Sequence, residues 1–179
     1  VRDGAVSVGT VNNASANGPL GNSVQAVILG DAAGTAGRLQ YTGASASATR
    51  PFTMATGGPG VFQVDAGGAV LTLSGLIDGG GGLEKSGAGT LVLSAANTYT
   101  GVTTVAGGFL RADNASALGT GGNITFTGGA LQFTAASAGQ DWAARFKNST
   151  SAISLDSNGQ NLSLAGVIDS SNAGGVTKL

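Results

Sequence analysis

The chain predicts an all-β fold, a right-handed parallel β-helix (β-solenoid) with coils of about 20 residues. Three observations carry that expectation. Residues 83–110 hold three short apolar runs between Gly and Asn turns, with no helical spacing. Alternating apolar pairs recur along the chain at a common step. The composition is rich in turn formers, with 33 Gly in 179 residues, yet 41% of the residues are hydrophobic, too many for a disordered linker.

The periodic pairs form two columns. One runs through Leu71/Leu73, Leu91/Leu93, Leu110/Ala112 and Leu131/Phe133, in steps of 20, 19 and 21 residues. The other runs through Phe62/Val64, Leu83/Lys85, Val102/Thr104 and Ile124/Phe126, in steps of 21, 19 and 22. Side chains at i and i+2 share one face of a strand, so each pair is expected to point inward. A coil cannot bury such a face alone, and stacked neighbours bury it together.

A longer similarity overlies this period. Leu39–Thr42 matches Leu131–Thr134, Val70–Asp78 matches Asn161–Asp169, and Phe62–Asp65 matches Ile153–Asp156. Leu20-Gly21 matches Leu118-Gly119, and Arg50-Pro51-Phe52 lies over Arg145-Phe146. The offsets stay between 91 and 98 residues. The expected organisation is one β-helix segment over 1–179, with long repeats at roughly 4–85 and 108–178. Leu39 to Leu71 is 32 residues and Leu131 to Leu162 is 31, which predicts one expanded coil per long repeat. The extra residues hold Arg50–Met54 and Trp142–Lys147. They are read as a third strand or a bulge covering the core, with one helical turn near 142–147.

Gly at 79–82, 87, 89, 101, 107–108, 119, 121–122 and 128–129 is expected at the corners between strands. Asn97 and Asn114 are read as turning the chain rather than as an interior ladder. Tyr99 is expected to close a corner, its ring packed and its hydroxyl paired.

Composition also excludes functions. Charged residues are 9% and the net charge is −1, so no electrostatic footprint for nucleic acid or an anionic membrane exists. No Cys and no His are present, which removes disulfides, thiol nucleophiles and His general bases. No apolar run approaches the ~20 residues of a membrane helix. The start, Val1-Arg2-Asp3-Gly4, lacks a basic-then-apolar leader. The expectation is a segment of a longer protein, with Val6–Val8 and Val176–Leu179 exposing strand edges that favour end-to-end self-association.

Gly87-Ala88-Gly89-Thr90-Leu91-Val92-Leu93, then Asn97-Thr98-Tyr99-Thr100-Gly101, then Thr103-Thr104-Val105, Gly107-Gly108 and Leu110 resemble the autotransporter-associated β-strand repeat, also called the passenger-associated transport repeat. The resemblance is close over 83–119. It implies a passenger secreted by the type V route, extracellular or displayed on the bacterial surface and anchored through a C-terminal outer-membrane β-barrel absent from this chain. It implies roles in adhesion, display or virulence, and folding that helps drive export.

Catalysis needs clustered carboxylates. The nine acids here are scattered, mostly at strand ends. Asp65 recurs as Asp156, Asp78 as Asp169 and Arg50 as Arg145. A duty that recurs with the repeat is structural, so hydrogen bonds to turns and neighbouring strands are expected. Gly79–Gly82 lacks the Lys-Ser/Thr ending of a phosphate loop. The expected role is therefore a non-enzymatic structural and adhesive stalk with no cofactor and no metal. Its partners are the neighbouring coils of the same chain. The second reading is a module for a host surface protein or glycan, and the third is a carbohydrate-active β-helix. The candidate partner contacts are Trp142, Arg145 and Lys147, expected to be exposed while Phe52 and Phe146 plug the core.

Overall fold

Runs of three to five apolar and β-branched residues, each closed by Gly or a polar turn, leave the chain only short strands to make. The computed structural model describes residues 1–179 and contains sixteen such strands and one 3-10 turn. The first coil holds β1 (Gly4–Val8) and β2 (Val27–Leu29). The next two hold β3 (Gly37–Tyr41), β4 (Ala46–Ala48) and β5 (Phe52–Met54), then β6 (Gly60–Val64), β7 (Val70–Leu73) and β8 (Ile77–Gly79). Three two-stranded coils follow: β9 (Leu83–Ser86) with β10 (Thr90–Leu93), β11 (Thr103–Val105) with β12 (Phe109–Ala112), and β13 (Ile124–Phe126) with β14 (Ala130–Phe133). The chain ends on β15 (Ile153–Asp156) and β16 (Val176–Lys178).

These strands stack into three parallel sheets that run along the molecule. The first face has the order β1-β3-β6-β9-β11-β13, the second β4-β7-β10-β12-β14-β15-β16, and the third β2-β5-β8. The result is a β-solenoid of about seven turns. Beyond β8 the third face continues as irregular backbone. Thr98 and Thr100 donate to the carbonyls of Ile77 and Gly79, at 2.9 and 3.0 Å, and Thr120 donates to Tyr99 at 3.1 Å.

The leucine column holds residue by residue. Leu71, Leu91, Leu110 and Leu131 are successive ladder partners, as are Leu73, Leu93, Ala112 and Phe133. All are buried. The other column needs a correction. Thr103 and Val105 pair with Leu83 and Lys85 on one side and with Ile124 and Phe126 on the other. Thr103 and Val105 therefore point inward and are fully buried, while Val102 is 41% exposed. A slip of one residue exchanges the faces of a strand. Phe62 likewise pairs with Lys85, not with Leu83.

Arg50–Met54 is not an insertion. Its Phe52–Met54 part is β5, one ordinary step from β2 and β8, with Phe52 paired to Val27 and Ile77. The spacing of 32 residues from Leu39 to Leu71 joins two different faces, because Leu39 lies on the first and Leu71 on the second. The longest turn is instead the first, where Gly4 pairs with Gly37 across residues 9–26. Segments matched in the long similarity also change face. Leu39–Tyr41 lies on the first face and Leu131–Phe133 on the second. The similarity thus relates one face to the next around the coil.

Inside the coils, 32 buried apolar residues form one continuous core. Phe52 packs edge-on to Phe62 at 5.0 Å, and Phe126 edge-on to Phe146 at 5.6 Å. Tyr99 is fully buried and its hydroxyl meets Thr103 Oγ1 at 2.7 Å, closing the corner as expected. Asn97 departs from its expected turn role. It is buried, and its Oδ1 accepts from Ile77 N at 2.9 Å while its Nδ2 donates to Ala117 O at 2.8 Å, tying three coils together. Asn114 does turn the chain, its Oδ1 accepting from Ser116 N at 2.9 Å. Lys85 is also interior: its Nζ donates to the carbonyls of Ser86, Gly87 and Gly107, at 2.7, 2.9 and 2.9 Å.

Candidate contact surface

Trp142 opens a 3-10 turn at Ala143–Arg145, after which Phe146 bridges Ile124 of the first face. The expectation of an exposed Trp142 is corrected. The indole is 5% exposed and stacks on Phe133, with ring centroids 5.4 Å apart at 28°. The turn folds it inward because Asp141 Oδ1 accepts from Ala143 N at 2.9 Å, while its Oδ2 accepts from Ala165 N and Gly166 N of the next coil. These bonds hold the Asp141 carboxyl below its ordinary range, that to Ala143 N foremost.

Arg145 is half-buried and faces the preceding corner. Its Nε donates to Gly122 O at 2.8 Å, its Nη2 to Leu118 O at 2.7 Å and its Nη1 to Gly119 O at 3.4 Å. Arg50 makes the matching contacts with the first coil, Nη2 to Leu20 O and Nη1 to Ser23 O, each at 2.5 Å. The recurrence of Arg50 with Leu20 and of Arg145 with Leu118 is thus one structural device used twice. Lys147 is the outward member of the trio. It forms an ion pair with Asp169, and their side chains are 28% and 42% exposed. Hydrogen bonds from Lys147 and Ser171 draw the Asp169 carboxyl down to about 2.

The other recurrent acids behave in the same way. Asp65 accepts from Gln40 at 2.7 Å, Asp156 from Gln132 at 2.6 Å, and Asp78 from Thr53 at 2.6 Å. Each carboxylate is engaged by the adjacent coil, one step along the sheet. They are spaced out rather than converging on a common cleft.

Sequence reasoning missed a second surface. On β12, Leu110 and Ala112 point inward, so Phe109 and Arg111 point outward. Of the six Phe, two Tyr and one Trp, Phe109 alone is not buried. The signal was present, since the leucine column already placed Phe109 and Arg111 on the solvent side.

The stacked parallel coils, with paired acids and corner arginines, define a solenoid repeat protein. The family model of the passenger-associated transport repeat matches residues 83–112, so the chain carries that repeat there. It is also similar to an adhesin autotransporter, BmaC of Brucella suis biovar 1 (strain 1330), with 37% identity over 131 residues. That alignment covers 72% of this chain and 4% of the relative. No solved structure matches the chain.

Proposed function

We propose that this chain is a non-enzymatic stretch of stalk and adhesive surface in a secreted, surface-displayed bacterial passenger. The observation that carries the reading is the similarity, over 131 residues, to an adhesin autotransporter, on a fold whose coils extend one another end to end. A rod built of stacked coils displays surface at a distance from its anchor, which is what adhesion requires. The engagement of Asp65, Asp78, Asp156 and Asp169 by neighbouring coils supports a structural duty for the acids. Anchoring through a C-terminal outer-membrane barrel and assistance to export belong to this proposal.

Beads coated with the purified chain test it directly. Saturable attachment to host cells, competed by soluble chain, is the expected result. Attachment no greater than that of beads coated with an unrelated β-solenoid would overturn the adhesive part.

A specific host-protein or glycan contact is the narrower form of the same reading. At the 142–147 corner the solvent-reachable group is Lys147, beside Asp169. Trp142 and Arg145 enter this proposal as the support that positions Lys147. End-to-end association through the exposed Val6, Val176 and Leu179 is proposed as well. Sedimentation velocity tests it, and a single monomer boundary at all concentrations would count against it.

A further inference from the structure

We propose that the outward face of β12 is a binding site for a neutral glycan, with Phe109, Arg111 and Asp113 as its contact residues. The proposal rests on the adhesive reading and supplies the ligand class and the site.

Every other aromatic side chain of the molecule is spent on the core. Phe109 is left on the solvent side of the second face, between the small outward residues Thr90 and Ala130 on the flanking strands. Thr90 and Ala130 are 8% and 5% exposed, so the ring lies among covered neighbours. A half-buried ring held on a sheet loses little freedom when a ligand stacks on it.

Arg111 follows two residues later on the same face. Its Nε donates to Gln132, whose Nε2 in turn donates to Asp156 at 2.6 Å. The guanidinium is thereby oriented, while both Nη groups have no protein partner and are not enclosed. Asp113 lies two residues further, exposed, with a carboxylate that accepts no hydrogen bond and forms no ion pair. The backbone N–H of Asp113 still donates to Leu93 O at 2.9 Å, so the chain is held up to that point.

Ring, open donors and open acceptor therefore follow one another along a strand direction. At about 3.3 Å per residue the row spans roughly 13 Å. Its two charges cancel, which gives no preference for a polyanion. A sugar hydroxyl both donates and accepts, and the apolar face of a pyranose stacks on an aromatic ring. A neutral oligosaccharide meets all three groups at once. An acidic peptide would meet the Asp113 carboxylate, and a basic one the Arg111 guanidinium.

Saturation-transfer NMR on the intact chain tests this with lactose, maltose and cellobiose oligomers, against sialyllactose and a heparin oligosaccharide. At least one neutral sugar is expected to bind. Phe109→Ala and the double variant Arg111→Gln/Asp113→Asn are each expected to weaken it about tenfold or more at unchanged melting temperature. Phe109→Trp, which keeps a ring, is expected to retain binding. The double variant, at the surface, decides the matter if Phe109→Ala fails to fold. The proposal is overturned if no neutral sugar binds, if only the charged sugars bind, or if the variants leave affinity unchanged. Cell attachment of parent beads that survives in the variants would sink this site and leave the adhesive reading standing. Loss of attachment by the parent itself would sink the adhesive reading.

Discussion

Arg145 reaches back one coil and donates from Nη2 to the carbonyl oxygen of Leu118 at 2.7 Å. Arg50 does the same to Leu20. In each case a guanidinium fork gathers the carbonyls of the preceding corner, which the turning chain cannot pair with a neighbouring strand. The solenoid thus meets with one residue type the problem that a helix meets with its caps.

Replacing Arg50 by Met keeps the stem and removes the fork. The carbonyl of Leu20 then loses its donor and that of Ser23 keeps only Ser15 N at 3.4 Å, at roughly 1.5–3 kcal/mol for each charge-assisted bond removed. A loss of about 2–4 kcal/mol in urea unfolding is expected. Arg145→Met should cost less, because Arg145 is half-buried where Arg50 is 2% exposed. Lys at either position should rescue only in part, since an ammonium lacks the fork. An Arg50→Met variant as stable as the parent would remove this account of the corners.

Lys85 predicts a pH dependence. Burial draws its pKa from 10.5 to about 8. Below pH 8 the lysine is charged in both states, and the folded state carries the full desolvation cost. As pH rises past 8 the folded protein releases the proton while the unfolded chain keeps it, so stability rises, by no more than roughly 3 kcal/mol in total. The comparison is with Lys85→Met, between pH 8 and 10. Above 10 the buried Tyr99, pushed up to about 12, acts in the opposite sense, because its unfolded form ionises first. The stability difference between parent and variant should shift toward the parent across that window. A difference that stays flat from pH 7 to 10 would place the lysine's ammonium in contact with water.

Two adjacent glycines separate steric need from freedom. A Cβ on Gly122 would overlap the carbonyl oxygen of Gly101 in the coil below, whereas a Cβ on Gly121 meets nothing within 4 Å. Gly122→Ala is expected to cost at least about 1–3 kcal/mol, since the coils must separate to admit it. Gly121→Ala is expected to be neutral or slightly stabilising, by less than about 1 kcal/mol. Equal melting temperatures for the two variants would contradict the close approach of these coils.

Trp142 and Lys147 should behave oppositely. Trp142→Ala deletes a buried ring stacked on Phe133 and is expected to cost about 3–5 kcal/mol. Lys147→Ala opens a surface ion pair with Asp169 and should leave the melting temperature unchanged at neutral pH. Differential scanning calorimetry of the two variants checks both. Any change in cell attachment by Lys147→Ala then reports contact and not unfolding. Reversal of the two stabilities would return Trp142 to the surface.

The leucine column, the parallel stacking and the third-strand reading of 50–54 were all legible in the sequence. Val70, Val92, Phe109 and Ala130 beside the column's leucines are apolar too, but the pairs Leu71/Leu73, Leu91/Leu93, Leu110/Ala112 and Leu131/Phe133 repeat one phase of period two in four successive coils. The pattern Val102-Thr103-Thr104-Val105 has no single phase, because its apolar residues are three apart and all four are β-branched. Its phase was decided by ladder pairing with Leu83 and Ile124. Recurrence in the repeat also pointed to a structural duty for Asp65, Asp78, Asp156, Asp169, Arg50 and Arg145, and their partners in adjacent coils have that character. The exposed contact expected of Arg145 is instead a half-buried fork on the preceding corner.

What only the tertiary structure decided was the placement of side chains that break their own rule. Lys85 sits inside because three carbonyls at a corner receive its ammonium. Trp142 turns inward because Asp141 bends the chain and Phe133 offers a face to stack on. Phe109 stays outside because Leu110 and Ala112 already fill the interior positions of its strand. Local pattern dictates which residues can share a face. Which face is buried at an ambiguous step depends on coils about 20 residues away in the chain, and that is settled only when they stack.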